Sequence, residues 1–274
     1  MPDAVKGLQL TGELSLTFSR RKNRTFLRSL HQTSPLKASH ALYPEEEGHA
    51  VVYLMETSGG MVSGDHNSYN IIIEESSRVT LIQQSALKVY PSRNGRCTKQ
   101  TMKITVENNA FVKLDPDTII PFENARFQSK TEIQLSSFSH FLWGEILSAG
   151  RREKGEHYQY QEIDLLTSIS KNGKLCAYDR FRFQPETAGY EEIGLLDGYS
   201  YYASVWAASE TLDKQQLLEV SEAVAEANSA VTEVEKGIFC FRWLSNDLVD
   251  LKKHIRYVMG QITIMMETAQ EGDL

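Results

Sequence analysis

The sequence predicts a mainly β fold, one β-rich domain that ends in two α-helices. Two patterns read from the chain carry the β content and the helices, and a third observation excludes the main rival. From residue 5 to about residue 206 the hydrophobic residues recur with period two, in short runs rich in Val, Ile, Thr and aromatics. Beyond that point the period changes to that of an amphipathic helix. No long apolar helical pattern separates the early strands, so a central parallel sheet with crossover helices is not expected.

The elements follow in order. "LQLTGELSLTFSR" alternates through Leu8, Leu10, Leu14, Leu16 and Phe18, with a turn expected at Gly12. "AVVYLME" and "SYNIIIEE" flank a glycine-rich stretch, for which a bulged hairpin connection is the simplest reading. "SRVTLIQQSALKVY", "QTMKITVENNAFVKLD" and "SKTEIQLSS" continue the alternation. "ENNA" and Asn172-Gly173 are both hairpin signals. In "LDPDTIIPFENA", Pro116 and Pro121 bracket an apolar centre, which places it at an edge or an irregular crossing. Leu212, Leu217, Val220 and Val224 then predict a helix over about 210–228, with Ser209 or Thr211 as its N-cap. Leu248, Leu251, Ile255, Val258, Met259 and Ile262 predict a second over about 246–267. "KGIFCFRWLS" between them reads as one more strand. The whole chain, 1–274, is expected to be one domain.

The formal net charge is −7, which argues against a nucleic-acid partner and favours cations or basic surfaces. Cys97, Cys176 and Cys240 are odd in number and far apart, which fits a reducing compartment. With no signal peptide and no spanning segment in the sequence, a cytoplasmic location is expected and no membrane partner.

"SGGMVSGDH" raises the first chemical question. Gly59 and Gly64 have the spacing of a P-loop, but Asp65 stands where its lysine belongs and His66 where its Ser/Thr belongs. A carboxylate there would repel phosphate. The glycines therefore build a tight β connection that presents Asp65. In "QSALKVYPS", Gln84, Ala86 and Lys88 share one strand face, which makes Lys88 a candidate paired lysine. "GRREKGE" sets Gly150 and Gly155 around charge, a surface turn by composition. No two of the seven histidines have metal-pair spacing, and no nucleophile elbow appears. Without further information, a generic β-scaffold interaction protein is favoured over a two-carboxylate hydrolase.

Taken in order, four blocks resemble the signature of the urease accessory protein family UreD, also called UreH. They contain Tyr43, Pro44 and Glu45 with Gly59, Gly60, Gly64 and Asp65; then Gln84, Lys88 and Tyr90; then Leu114, Pro116, Ile120 and Phe122; then Gly150, Arg151, Gly155 and Glu156. Gln83 stands where the family commonly has threonine. The resemblance implies a single β-rich, helix-like stack of strands with two C-terminal α-helices, and a non-enzymatic maturation factor that binds apo-urease and UreF directly, and the GTPase UreG through UreF. It also implies transient passage of Ni²⁺ along a water-filled path, with no tightly bound cofactor. Carboxylates release a borderline ion more readily than clustered imidazoles or thiolates. Asp65 and Glu156 are accordingly the candidates for lining the path. Arg151 and Lys88 are charge-balancing candidates, with Gln84 and Tyr90 structural, and an Asp65–Arg151 pair is the purely structural alternative.

Overall fold

The computed structural model describes residues 11–44, 48–189, 191, 196–224 and 228–271. Among the described residues, sixteen strands form two facing sheets. The first contains β1 (Thr11–Arg21), β2 (Arg24–Gln32), β5 (His66–Ile73), β8 (Thr98–Val106), β10 (Arg126–Leu135), β12 (Glu162–Lys171) and β13 (Lys174–Phe183). The second contains β3 (Leu36–Ala38), β4 (His49–Glu56), β6 (Arg78–Gln83), β7 (Leu87–Val89), β9 (Phe111–Pro121), β11 (His140–Ser148), β14 (Tyr201–Ala208), β15 (Asn228–Glu235) and β16 (Ile238–Ser245).

From β4 to β12 the chain winds between the sheets, leaving strands on each in turn. Consecutive strands within a sheet are parallel: β1, β5, β8, β10 and β12 on one side, β4, β6, β9 and β11 on the other. This is the stack that the UreD resemblance implies, built from the strands that the alternation predicts. Short corners join its strands, where an ordinary parallel sheet needs crossover helices.

Three local expectations are corrected by this winding. "ENNA" is a corner from β8 to β9, which lie in different sheets, and Asn109 takes the left-handed conformation at φ 55°. The glycine-rich stretch likewise crosses from β4 to β5 and is no hairpin. Gly12 lies inside β1, where a Cβ would come within 2.8 Å of Asn67 Oδ1 and 2.9 Å of Leu36 Cγ. Glycine there admits a neighbouring chain and makes no turn; Leu8 and Leu10 lie outside the described residues. Asn172-Gly173 does make the expected hairpin, with Lys171 opposite Lys174.

β9 is an interior strand between β6 and β11, and only the irregularity expected of it is present. The register with β11 shifts between Trp143 and Glu145, opposite Pro116. A bulge leaves ladder positions unpaired, so a proline without an N–H fits beside one.

The two helices cover the outer face of the second sheet. α1 (Lys214–Glu222) is shorter than expected and is capped by Asp213, whose side chain accepts the Gln216 N–H at 3.1 Å, not by Ser209 or Thr211. Residues up to Val224 keep the buried spacing, but the chain forms β15 from Asn228, and residues 225–227 are not described. α2 (Leu248–Glu271) buries Leu251, Ile255, Val258, Met259 and Ile262 against Phe239, Phe241 and Trp243. Each such side chain contributes about 2 kcal/mol by burial. Covered on both faces, the second sheet has nearly continuous apolar strands such as "HFLWGEILS", whereas β1 and β5 on the first sheet alternate.

Candidate functional site

Residues from three of the four sequence blocks meet in one cluster, and the glycine loop docks onto it. Met61 donates its N–H to Lys88 O at 2.8 Å and accepts the Tyr90 N–H at 2.9 Å, a short parallel bridge onto β7. Gly60 makes this approach possible. At φ +136°, a Cβ on it would lie 2.7 Å from the Tyr90 ring and 2.8 Å from Lys88 O. Beyond it the loop turns back, and Asp65 is buried at its end. Asp65 Oδ2 accepts the Val62 N–H at 2.9 Å, while the Asp65 N–H donates to Val62 O at 3.0 Å. The carboxylate thus closes the turn that the glycines open.

Tyr90 packs on Phe122 with ring centres 4.7 Å apart, and the Arg151 guanidinium lies 4.0 Å from the centre of the same Phe122 ring on its face. Arg151 grips Glu156 with two donors: Nε reaches Oε2 at 2.8 Å and Nη2 reaches Oε1. The Glu123 N–H adds a third bond to Oε2 at 3.2 Å. Glu156 is 6% exposed. The guanidinium holds its carboxyl below the usual carboxylate range, overcoming the opposite effect of burial. A 3₁₀ turn, Arg152–Lys154, with Gly155 left-handed behind it, brings the two residues together. Gly150 permits the tight closure, since a Cβ there would sit 3.1 Å from Glu156 O.

Arg151 therefore pairs with Glu156. Lys88 and Gln84 are both exposed, with the strand interrupted between them. Lys88 has no carboxylate partner among the described residues, so of the two charge-balancing candidates only Arg151 neutralises a buried acid. Tyr43, from the start of the first block, lies against the β1–β2 hairpin, donating its hydroxyl to Thr25 O at 2.8 Å.

A second feature was not evident from the sequence. Between the sheets lies a cavity of about 30 Å³, enough for roughly two waters. Its polar lining comprises Asp115, Glu145, Gln83, Gln100, Ser129 and Thr131, contributed by both sheets. The bulge at Pro116 and Gly144 sets the two acids. Gly144 has no room for a side chain, since a Cβ would be 3.0 Å from Val205 and 3.1 Å from Pro116. Lys113 lies 3.5 Å from Asp115. The available signal was Glu145 as the lone carboxylate in the apolar run "HFLWGEIL". Neither Asp65 nor Glu156 lines this cavity. Among the described residues no group of three or more His, Cys, Asp or Glu is placed to hold a metal, and no helix is long and apolar enough to cross a membrane.

The family model described as UreD urease accessory protein matches residues 10–271. The chain belongs to the UreD family. Similar relatives bear this out at high coverage. The urease accessory protein UreD of Sporosarcina pasteurii is 38% identical over 251 residues, 90% of this chain and 98% of its own. The UreD of Halalkalibacterium halodurans is 42% identical over 239 residues, 86% of this chain and 88% of its own. That of Lysinibacillus sphaericus is 35% identical over 259 residues, 93% and 96% respectively. The four blocks all lie within the matched residues 10–271, in the fold described above. Within it, the Tyr90–Phe122–Arg151–Glu156 cluster ties together strands and loops that are far apart in sequence.

Proposed function

We propose that this protein is a non-catalytic urease maturation factor of the cytoplasm. It binds apo-urease and UreF, engages UreG through UreF, and helps deliver nickel to the urease active site. Membership of the UreD family over nearly the whole chain is the observation that carries this reading. Nickel is the cargo, held only in transit. Oxygen ligands suit that role, because they bind Ni²⁺ less firmly than imidazole or thiolate and exchange it faster.

The interior supports such a path in its chemistry. Asp115 and Glu145 place carboxylates beside amides and hydroxyls between the sheets. We add these two acids to Asp65 as positions where a passing cation is stabilised. Glu156 differs from the others, because its oxygens already serve Arg151 and the Glu123 N–H. Its part in this reading is to fix the loop beside the path. The experiment is co-expression of the chain with apo-urease, UreF and UreG, followed by co-purification and by quantifying nickel in the recovered urease. Loss of nickel and activity when the chain is omitted is expected. Urease that matures equally without it overturns the reading.

A further inference from the structure

Residues 14–44 contain six Lys or Arg and no Asp or Glu, in a chain of formal net charge −7. The structure gathers three of those cations at one tip. β1 and β2 form a hairpin whose closing pair is Arg21 opposite Arg24, with Lys22 in the turn. Like charges placed directly across a ladder repel, and Lys22 takes φ 57°, a conformation that glycine adopts without steric cost. The turn would be easier to form without these charges. Arg21, Lys22 and Arg24 are exposed, and none has a carboxylate partner among the described residues. Arg28 differs, since Glu74 neutralises it at 2.6 Å.

The tip is also shaped. An open concavity of about 640 Å³ is lined by Arg21, Lys22, Asn23, Arg24 and Phe26. Arg24 is held over the Tyr43 ring at 3.8 Å, and Arg20 bonds Asn23 Oδ1 at 2.5 Å, so the surface is braced before anything binds. β2 is the end strand of its sheet, and Arg28 through Gln32 are exposed along it. At Thr25 that edge is already taken, its N–H donating to Gly48 O at 3.2 Å and its carbonyl accepting the Tyr43 hydroxyl at 2.8 Å, so the stretch that offers backbone donors and acceptors to an added chain is Arg28–Gln32.

We infer that this hairpin is a docking site for an extended, carboxylate-rich segment of a partner protein. The segment pairs with β2 over Arg28–Gln32 and runs on to the tip, with its acids on Arg21, Lys22 and Arg24 and an apolar side chain against Phe26. Arginine forks pair with carboxylates in two-bond geometry. A nucleic-acid strand fits less well, because only three cations face it and the rest of the chain repels it. A bilayer surface fits less well because the cations sit at a narrow tip beside a sheet edge.

The test is fluorescence anisotropy of the full chain with a labelled peptide of about twelve alternating Glu and Val residues, the extended form that strand addition requires. Binding is expected at about 50 mM salt and should be lost at about 500 mM. It should weaken about tenfold in the folded triple variant Arg21→Gln, Lys22→Gln, Arg24→Gln, as three exposed charge pairs of ordinary strength imply. Equal affinity in that variant overturns the inference. So does tighter binding of a charge-matched oligonucleotide or of phosphatidylserine vesicles. The chain's own Glu45, Glu46 and Glu47 are the remaining rival. Peptide binding that appears only after all three are changed to Gln, or in neither protein, overturns it equally.

Discussion

Arg151 and Glu156 close a short loop on each other, and the guanidinium they share lies over Phe122. The two halves of this pair are not equivalent. Glu156 is buried, whereas the Arg151 side chain is 39% exposed. Removing the cation leaves a carboxylate stranded in the interior. Removing the anion leaves an arginine that still reaches water. Arg151→Gln should cost about 3 kcal/mol and Glu156→Gln about 1–2 kcal/mol, read as the difference in denaturant midpoint at neutral pH. Equal losses would mean that the burial asymmetry does not govern the pair.

The same pair sets an acid limit. The folded-state pKa of Glu156 is depressed by the Arg151 hydrogen bonds. Its contribution is therefore complete above the unfolded value of 4.5 and is lost as pH falls through the lower folded value. Wild-type stability should drop more steeply below pH 4.5 than that of Glu156→Gln. Parallel melting curves for the two proteins in that range would contradict this.

Two histidines, His140 buried and His49 half-buried, act in a higher window. His49 and His140 are each held down to about 4, mainly by burial and then by Arg78, whose ion pair with Glu267 ties α2 to β6. The unfolded chain takes up these protons near pH 6.5 and the folded one only near 4, so stability falls between those values as pH drops. The full loss is up to about 3 kcal/mol per histidine. His49→Gln and His140→Asn keep a polar partner for Thr80 and Ser209 and should flatten the melting-temperature profile between pH 6.5 and 4.5, where Glu156 contributes little. An unchanged slope would refute the assignment.

Gly60 makes a sharper prediction. Gly60→Ala adds a Cβ 2.8 Å from Lys88 O at a backbone angle that L side chains rarely adopt. Strain and overpacking together should cost about 2–4 kcal/mol. Gly59 is also left-handed, but a Cβ there meets nothing within 4 Å. Gly59→Ala should therefore cost only the backbone strain, about 1 kcal/mol. Chemical denaturation of both variants checks the ordering.

How much was legible follows from which forces act locally. Asn172-Gly173 and Asn108-Asn109 present similar turn signals, yet one makes a hairpin and the other a corner between sheets. Turn residues fix the local backbone angles. The sheet that the next strand joins is decided by pairing with strands dozens of residues away. β15 went unseen because Val220 and Val224 sustain a helical spacing almost to its start. Arg151 and Glu156 were readable as charged motif positions of one loop, but not as partners, since the pairing weighed for Arg151 was with Asp65. Asp115 and Glu145 come from neighbouring strands and face a common space only because of a register shift. No short window of sequence displays that shift.

That register shift gives the last prediction. If the interior acids stabilise a passing cation, removing their charge while keeping their shape should reduce nickel delivery and leave assembly intact. Asp115→Asn and Glu145→Gln are expected to melt within about 1 kcal/mol of wild type, because neither carboxylate is fully buried and amides can keep hydrogen bonds. Both should still co-purify with apo-urease and UreF, but the urease matured with them should hold less nickel and be proportionally less active. Asp65→Asn tests the loop in the same assay. Asp65 Oδ2 caps the Val62 N–H, and an amide oxygen can take over that bond, so folding should survive. Glu156→Gln is the control for instability, since its carboxylate is engaged by Arg151. Melting temperature, pull-down yield and urease nickel measured on the same preparations separate these cases. Normal nickel content with Asp115→Asn and Glu145→Gln combined would exclude the cavity from the route. Partner binding lost in step with melting temperature would instead show that these acids hold the fold together.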